Sequence, residues 1–180
     1  KRLVVDDVQA AEVDRLMRLV RRILPDLDQG SARRSLEALL VAMDRYRAYV
    51  VPGRAVDPEQ AAVIEDAAGR ARAHLAPTDE PALEVIVDLV LDRELRDAAL
   101  DTGPLADDFR VRFQQTCGPV MAKGIEDTAY YRWFRLAGAN EVGGHPDHLS
   151  ISAEEFHTWC EGLVASWPTS MTTLTTHDTK

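Results

Sequence analysis

The stretch V-D-R-L-M-R-L-V-R-R-I-L (Val13–Leu24) decides the class of fold. Val13, Leu16, Met17, Val20, Ile23 and Leu24 recur at the spacing of one face of an α-helix, with arginines between them, and Pro25 stops the run. The same period continues outward along the chain. Leu36, Leu39, Leu40 and Met43 share a face, and so do Ile64, Ala68, Ala71 and Leu75 behind Asp57-Pro58-Glu59-Gln60, a cap followed by proline at the first helical position. That third helix is alanine-rich, so a neighbouring helix is expected to approach it closely. Ala82, Val85, Ile86 and Leu89 line the next helix, and Phe109, Phe113, Cys117, Val120 and Met121 line a longer one, which Gly118-Pro119 should kink or interrupt.

Ile125–Leu136 reads as a further helical stretch, followed by a Gly-rich loop, Gly138–Pro146. Ser152-Ala-Glu-Glu155 is a capping box flanked by Ile151 and Phe156, and Phe156, Trp159, Cys160, Leu163 and Val164 form the stripe expected to be buried behind it. Two short segments differ. Tyr46–Val51 and Ser170–Thr176 are β-branched or aromatic and read as strands by propensity. The expected class is therefore mainly α, with about seven helices and two short strands, which cannot make a stable sheet alone. That, with an end on Thr176-His177-Asp178-Thr179-Lys180, leads us to expect a piece of something longer.

Composition narrows the function. The chain has 180 residues with Lys+Arg 21 against Asp+Glu 30, a formal charge of −9, which speaks against a nucleic-acid duplex or an anionic membrane as partner. No apolar run approaches the ~18 residues of a membrane span. The cysteines are Cys117 and Cys160, far apart and in no paired motif, which excludes a disulfide framework or zinc ribbon and suits a reducing cytoplasm. Both sit on apolar stripes and read as structural thiols. Among the histidines, His145-Pro-Asp-His148 is the best local cluster, and one carboxylate in a Pro/Gly loop is a poor metal site; no metal or cofactor is expected.

Two segments carry chemical potential. In Gly118–Trp133, Lys123, Glu126, Asp127, Tyr130 and Arg132 lie among glycines and aromatics, a mixture that hydrogen-bonds hydroxyl-rich ligands and stacks sugar rings, or else simply forms helical ion pairs such as Lys123 with Glu126 or Asp127. His177-Asp178 past a short strand is either a polar turn or a carboxylate placed to stabilise an oxocarbenium ion.

Together, F-Q-Q-T-C-G-P-V-M-A-K-G-I-E-D-T-A-Y-Y-R-W (Phe113–Trp133), N-E-V-G-G-H-P (Asn140–Pro146) and W-P-T-S-M-T-T-L-T-T-H-D-T-K (Trp167–Lys180) resemble the maltooligosyl trehalose synthase family of the α-amylase superfamily. The resemblance is dense over the last third of the chain; 52–102 matches only in being a variable helical insertion. It implies an internal fragment of a (β/α)8 barrel, with the two short strands parallel and part of that incomplete barrel. The implied division is 1–51 (barrel helices and strand), 52–116 (helical insertion) and 117–180 (substrate-cleft segment, barrel helix and strand ending in the catalytic loop).

The resemblance further implies Asp178 as the third catalytic carboxylate and His177 as a ligand of glucose hydroxyls. Lys123, Glu126, Asp127, Tyr130, Arg132, Asn140 and Glu141 become candidate substrate-binding residues, with the nucleophile and the acid/base outside this chain. The implied substrate is a maltooligosaccharide, and the implied partner is the rest of the catalytic barrel. Two departures stand out: His145 replaces a frequent Asp, and Tyr130 a frequent Phe, which favours ring packing there. The rival reading is a self-standing acidic helical module that docks a basic protein. Adjacent parallel strands with His177-Asp178 near Lys123–Arg132 would favour the fragment; unpaired strands and scattered groups would favour the module.

Overall fold

The computed structural model describes residues 1–93, 103–133, 135–140 and 146–171. The chain divides into two compact units, Lys1–Ile125 and Glu126–Lys180.

The first unit is a helical assembly. α1 (Ala10–Ile23), α2 (Gln29–Ala42), α3 (Pro58–Arg72), α4 (Glu80–Val90) and α5 (Gly103–Met121) follow a π-helical turn at Val4–Val8. α2 is the central element and packs against α1, α3, α4 and α5. It earns that position through Leu36, Leu39 and Leu40, all buried with Ala32 and Met43. Each such side chain contributes about 1.5–3 kcal/mol by leaving water. The α1 stripe is buried as its spacing requires, from Val13 to Ile23. Ala67, Ala68 and Ala71 of α3 are also buried, so small side chains give α2 and α3 their close approach. On α5 the rings of Phe109 and Phe113 stack at 6.2 Å, buried with Cys117 and Val120.

Polar side chains fix the ends of these helices. Asp57 caps α3, accepting from the Glu59 amide at 2.8 Å, and Asp28 caps α2 through Ser31. Buried Asp79 joins the start of α2 to the start of α4. Ser31 Oγ donates to it at 2.7 Å, and Arg34 donates to both oxygens, at 2.8 Å from Nε and 2.7 Å from Nη2. The Arg34 guanidinium, then the Ser31 hydroxyl, hold this carboxyl down at about 2. At the other end of α4, buried Arg110 donates from Nε to the Leu89 carbonyl at 2.9 Å and pairs with Asp92 and Asp107. Asp92 adopts φ 56°, a left-handed conformation that short polar residues tolerate. α5 runs through Pro119 and passes at Ala122 into a π-helical turn, Ala122–Ala129. Gly124 in that turn meets Lys1 so closely that a Cβ would lie 2.7 Å from it, which bars any larger residue without a shift.

The expected class requires correction: among the described residues there is no strand. Tyr46–Val51 is irregular, and glutamine side chains bond the Tyr49 amide and both backbone groups of Val50, whose amide also donates to the Ala48 carbonyl at 2.8 Å. Gln60 Oε1 accepts from the Tyr49 amide at 3.0 Å. Buried Gln114 brackets Val50, its Oε1 accepting from the amide at 3.1 Å and its Nε2 donating to the carbonyl at 2.8 Å. A primary amide thus reproduces one rung of a β-ladder, and the segment needs no sheet. Ser170 and Met171 are likewise not in a strand, while 172–176 of the second expected strand lie outside the described residues. The two parallel strands, and the incomplete barrel built on them, are withdrawn.

The second unit carries 3-10 turns at Tyr130–Arg132 and Ala137–Ala139 and one regular helix, α6 (Ala153–Ser166). The capping box forms in full: Ser152 Oγ accepts from the Glu155 amide at 3.2 Å, and the Glu155 carboxylate accepts from the Ser152 amide at 2.8 Å. The burial expected behind it does not occur. Phe156 is 49% exposed, Trp159 58% and Val164 69%, and α6 contains no buried residue. Amphipathic spacing states which face needs cover; it cannot supply the cover. No described helix is long and apolar enough to cross a membrane.

Candidate functional site

The candidate residues begin in the π-helical turn, where Lys123 and Asp127 are exposed and Glu126 is half-buried. Lys123 belongs to the first unit; Glu126, Asp127, Tyr130, Arg132 and Asn140 belong to the second. Burial, then the nearby carboxylates of Glu126 and Asp147, push the half-buried Tyr130 phenol above its ordinary range, so it remains a hydrogen-bond donor through neutral pH. Arg132 is exposed at the end of the 3-10 turn.

Asn140 ties this segment together. Its Nδ2 donates to the Tyr130 carbonyl at 2.9 Å and to the Trp133 carbonyl at 2.6 Å, while its Oδ1 is buried with no partner among the described residues. The asparagine therefore bonds the backbone of the aromatic turn. Sequence reading missed two members of this neighbourhood. Asp147 was visible only as part of a histidine-containing loop, and Trp133 only as the last letter of a motif. Nothing in the spacing of Asn140 from Tyr130 and Trp133 signals a backbone clamp. His177, Asp178, Glu141 and His145 lie outside the described residues. Among the described residues no group of three metal-ligating side chains comes together.

The first unit holds a cleft of about 650 Å³ between Lys1, Arg2, Asp44, Arg70 and His74, with an apolar wall on α2. Its cations are already engaged: Lys1 Nζ donates to the Met43 carbonyl, Arg70 pairs with Asp44 at 3.2 Å, and Arg2 pairs with Glu37 at 3.4 Å. None of the candidate residues lines it. Cys117 is buried, and desolvation pushes its thiol up to about 12, which suits packing and not nucleophilic chemistry.

No family model matches the chain. A Mycobacterium tuberculosis protein carrying the name maltooligosyl trehalose synthase, found in two strains, is 53% identical over 70 residues, which are 39% of this chain and 9% of that protein. The solved structure of maltooligosyltrehalose synthase from Arthrobacter ramosus superposes on 98% of this chain with a TM-score of 0.72 at 33% identity. The chain matches a stretch of maltooligosyl trehalose synthase. A mutant of the Arthrobacter ramosus enzyme agrees equally well, with a TM-score of 0.74 at 32% identity. The chain spans 20% of the length of these solved synthases. The likeness to part of a maltooligosyl trehalose synthase thus extends over 98% of this chain.

Proposed function

We propose that this chain is part of an intramolecular transglucosylase that converts the reducing-end α-1,4 linkage of a maltooligosaccharide into an α,α-1,1 linkage. The observation that carries the proposal is the structural match over 98% of the chain at 33% identity. Agreement of that extent favours the enzyme over a self-standing interaction module. Tyr46–Val51 forms no strand, and His177-Asp178 lies outside the described residues.

In this reading Asp178 is the third carboxylate of the reaction and His177 binds hydroxyls of the glucose unit being transferred. The nucleophile and the general acid/base belong to polypeptide outside this chain. The acid protonates the glycosidic oxygen as the nucleophile attacks the anomeric carbon and forms a glycosyl-enzyme. The released glucose remains bound, turns, and attacks through its own anomeric hydroxyl, returning its proton to the conjugate base. Water in the same place would give hydrolysis, so the acceptor pocket must exclude it.

Lys123, Glu126, Asp127, Tyr130, Arg132, Asn140 and Glu141 are the proposed walls of that pocket. The chemistry needs no metal or cofactor, and a cytoplasmic setting suits its sugar substrate and unpaired cysteines. The isolated chain is inactive because the covalent step requires the nucleophile.

The test is incubation of the intact enzyme containing this chain with maltopentaose. Reducing ends should disappear without matching release of glucose. Glucose release with reducing ends retained contradicts the proposal.

A further inference from the structure

α1 breaks the charge pattern of its own unit. The six arginines on α2, α3 and α5, from Arg33 to Arg112, each pair with a carboxylate at 3.9 Å or less. On α1, Arg18, Arg21 and Arg22 are exposed, and no carboxylate among the described residues pairs with them. The acids of the helix itself are taken, Glu12 by Arg15 at 3.6 Å and Asp14 by Arg33 at 2.7 Å. Yet the chain holds Asp+Glu 30 against Lys+Arg 21, so placement and not supply leaves these three cations unpaired. Helical spacing sets Arg15, Arg18 and Arg22 in one row, with Arg21 beside it. Like charges three and four residues apart repel, so the row works against the helix that carries it. The helix dipole offsets this for Arg21 and Arg22 in the last turn, but not for Arg18 before them.

We propose that this face of α1 is a docking surface for an acidic polypeptide. The partner segment presents carboxylates over about 10 Å, the rise from Arg15 to Arg22 along an α-helix. A guanidinium holds a carboxylate through two parallel N–H···O bonds, and each pairing also relieves repulsion along the row. Arg15 joins by exchanging its exposed contact with Glu12 for a carboxylate of the partner. The net charge of −9 repels an extended polyanion such as a nucleic-acid duplex, whereas a short acidic segment meets only the local positive face. None of the residues proposed for sugar chemistry belongs to this face.

The experiment is fluorescence anisotropy of a labelled oligoglutamate with the intact enzyme containing this chain, at low salt and again at physiological ionic strength. The variant Arg18→Gln/Arg21→Gln/Arg22→Gln should raise Kd roughly tenfold, the combined worth of three exposed charge pairs. Arg72→Gln/Arg93→Gln/Arg112→Gln removes the same charge from arginines that are already paired, and should change Kd by less than about twofold. Added salt should weaken binding to the parent and narrow its lead over the first variant. Thermal unfolding verifies that both variants fold. If the first does not, Arg18→Gln alone should raise Kd about twofold to threefold, and an unchanged Kd there refutes the proposal. Equal losses in the two triple variants, no loss in the first, binding insensitive to salt, or a parent that binds no oligoglutamate overturns it. So does a DNA duplex that binds more tightly than the oligoglutamate with the same dependence on these three arginines.

Discussion

α4 and α6 carry equally clear apolar stripes and meet opposite fates. On α4, Ala82, Ile86 and Leu89 are buried by α2, α3 and α5. On α6, Phe156, Trp159 and Val164 remain exposed although the helix begins with a complete capping box. Local signals build both helices; only tertiary neighbours turn a stripe into a core. A 14-residue helix is marginal in water by itself, so α6, which contains no buried residue, depends on its cap in a way α4 does not.

Truncating buried and exposed aromatics in the 180-residue chain measures the contrast directly. Phe109→Ala should cost about 3–5 kcal/mol in urea unfolding, since a buried ring leaves a cavity as well as lost contacts. Trp159→Ala on α6 should shift stability by no more than about 0.5 kcal/mol, as exposed substitutions do. Comparable losses would mean that the α6 stripe is covered after all.

A smaller effect concerns the segment that replaces a strand. Gln114→Ala takes the Gln114 donor from the buried carbonyl of Val50 and leaves its amide only the Ala48 carbonyl, and should cost about 1–3 kcal/mol. A loss under about 0.5 kcal/mol would show that water replaces the bracket.

The least of these effects is conditional on acid. Asp79 is held at about 2, below its unfolded value, so its pairing stabilises the α2–α4 junction above roughly pH 4 and that contribution fades as pH falls toward 2. Asp79→Asn should flatten this part of the pH–stability curve. An unchanged slope would place the acid sensitivity elsewhere.

Much of the helical architecture was legible because its causes are local. The spacing of Val13 to Ile23, the Asp57 cap with Pro58, and the Ser152–Glu155 box each depend on residues within a few positions of one another. Tyr46–Val51 misled for the complementary reason. β-propensity describes side chains that suit a pleated surface, but the partner that satisfied this backbone, Gln114, stands 64 residues away. The α6 stripe was legible as a stripe and illegible as a surface, since burial belongs to the neighbours. At the candidate site, residue types advertised Tyr130 and Arg132. The clamp by Asn140 was hidden, because its partners are main-chain carbonyls that any sequence supplies.

The claim on which the function rests is that this chain contributes a reacting carboxylate to a glucosyl-transferring enzyme. The direct measurement is the rate of reducing-end loss from maltopentaose by the intact enzyme and by its Asp178→Asn variant, with folding verified by thermal unfolding. The account predicts a loss in kcat of about a hundredfold or more, the order seen when a group stabilising developing charge is removed. A folded Asp178→Asn enzyme that retains the parent rate contradicts it.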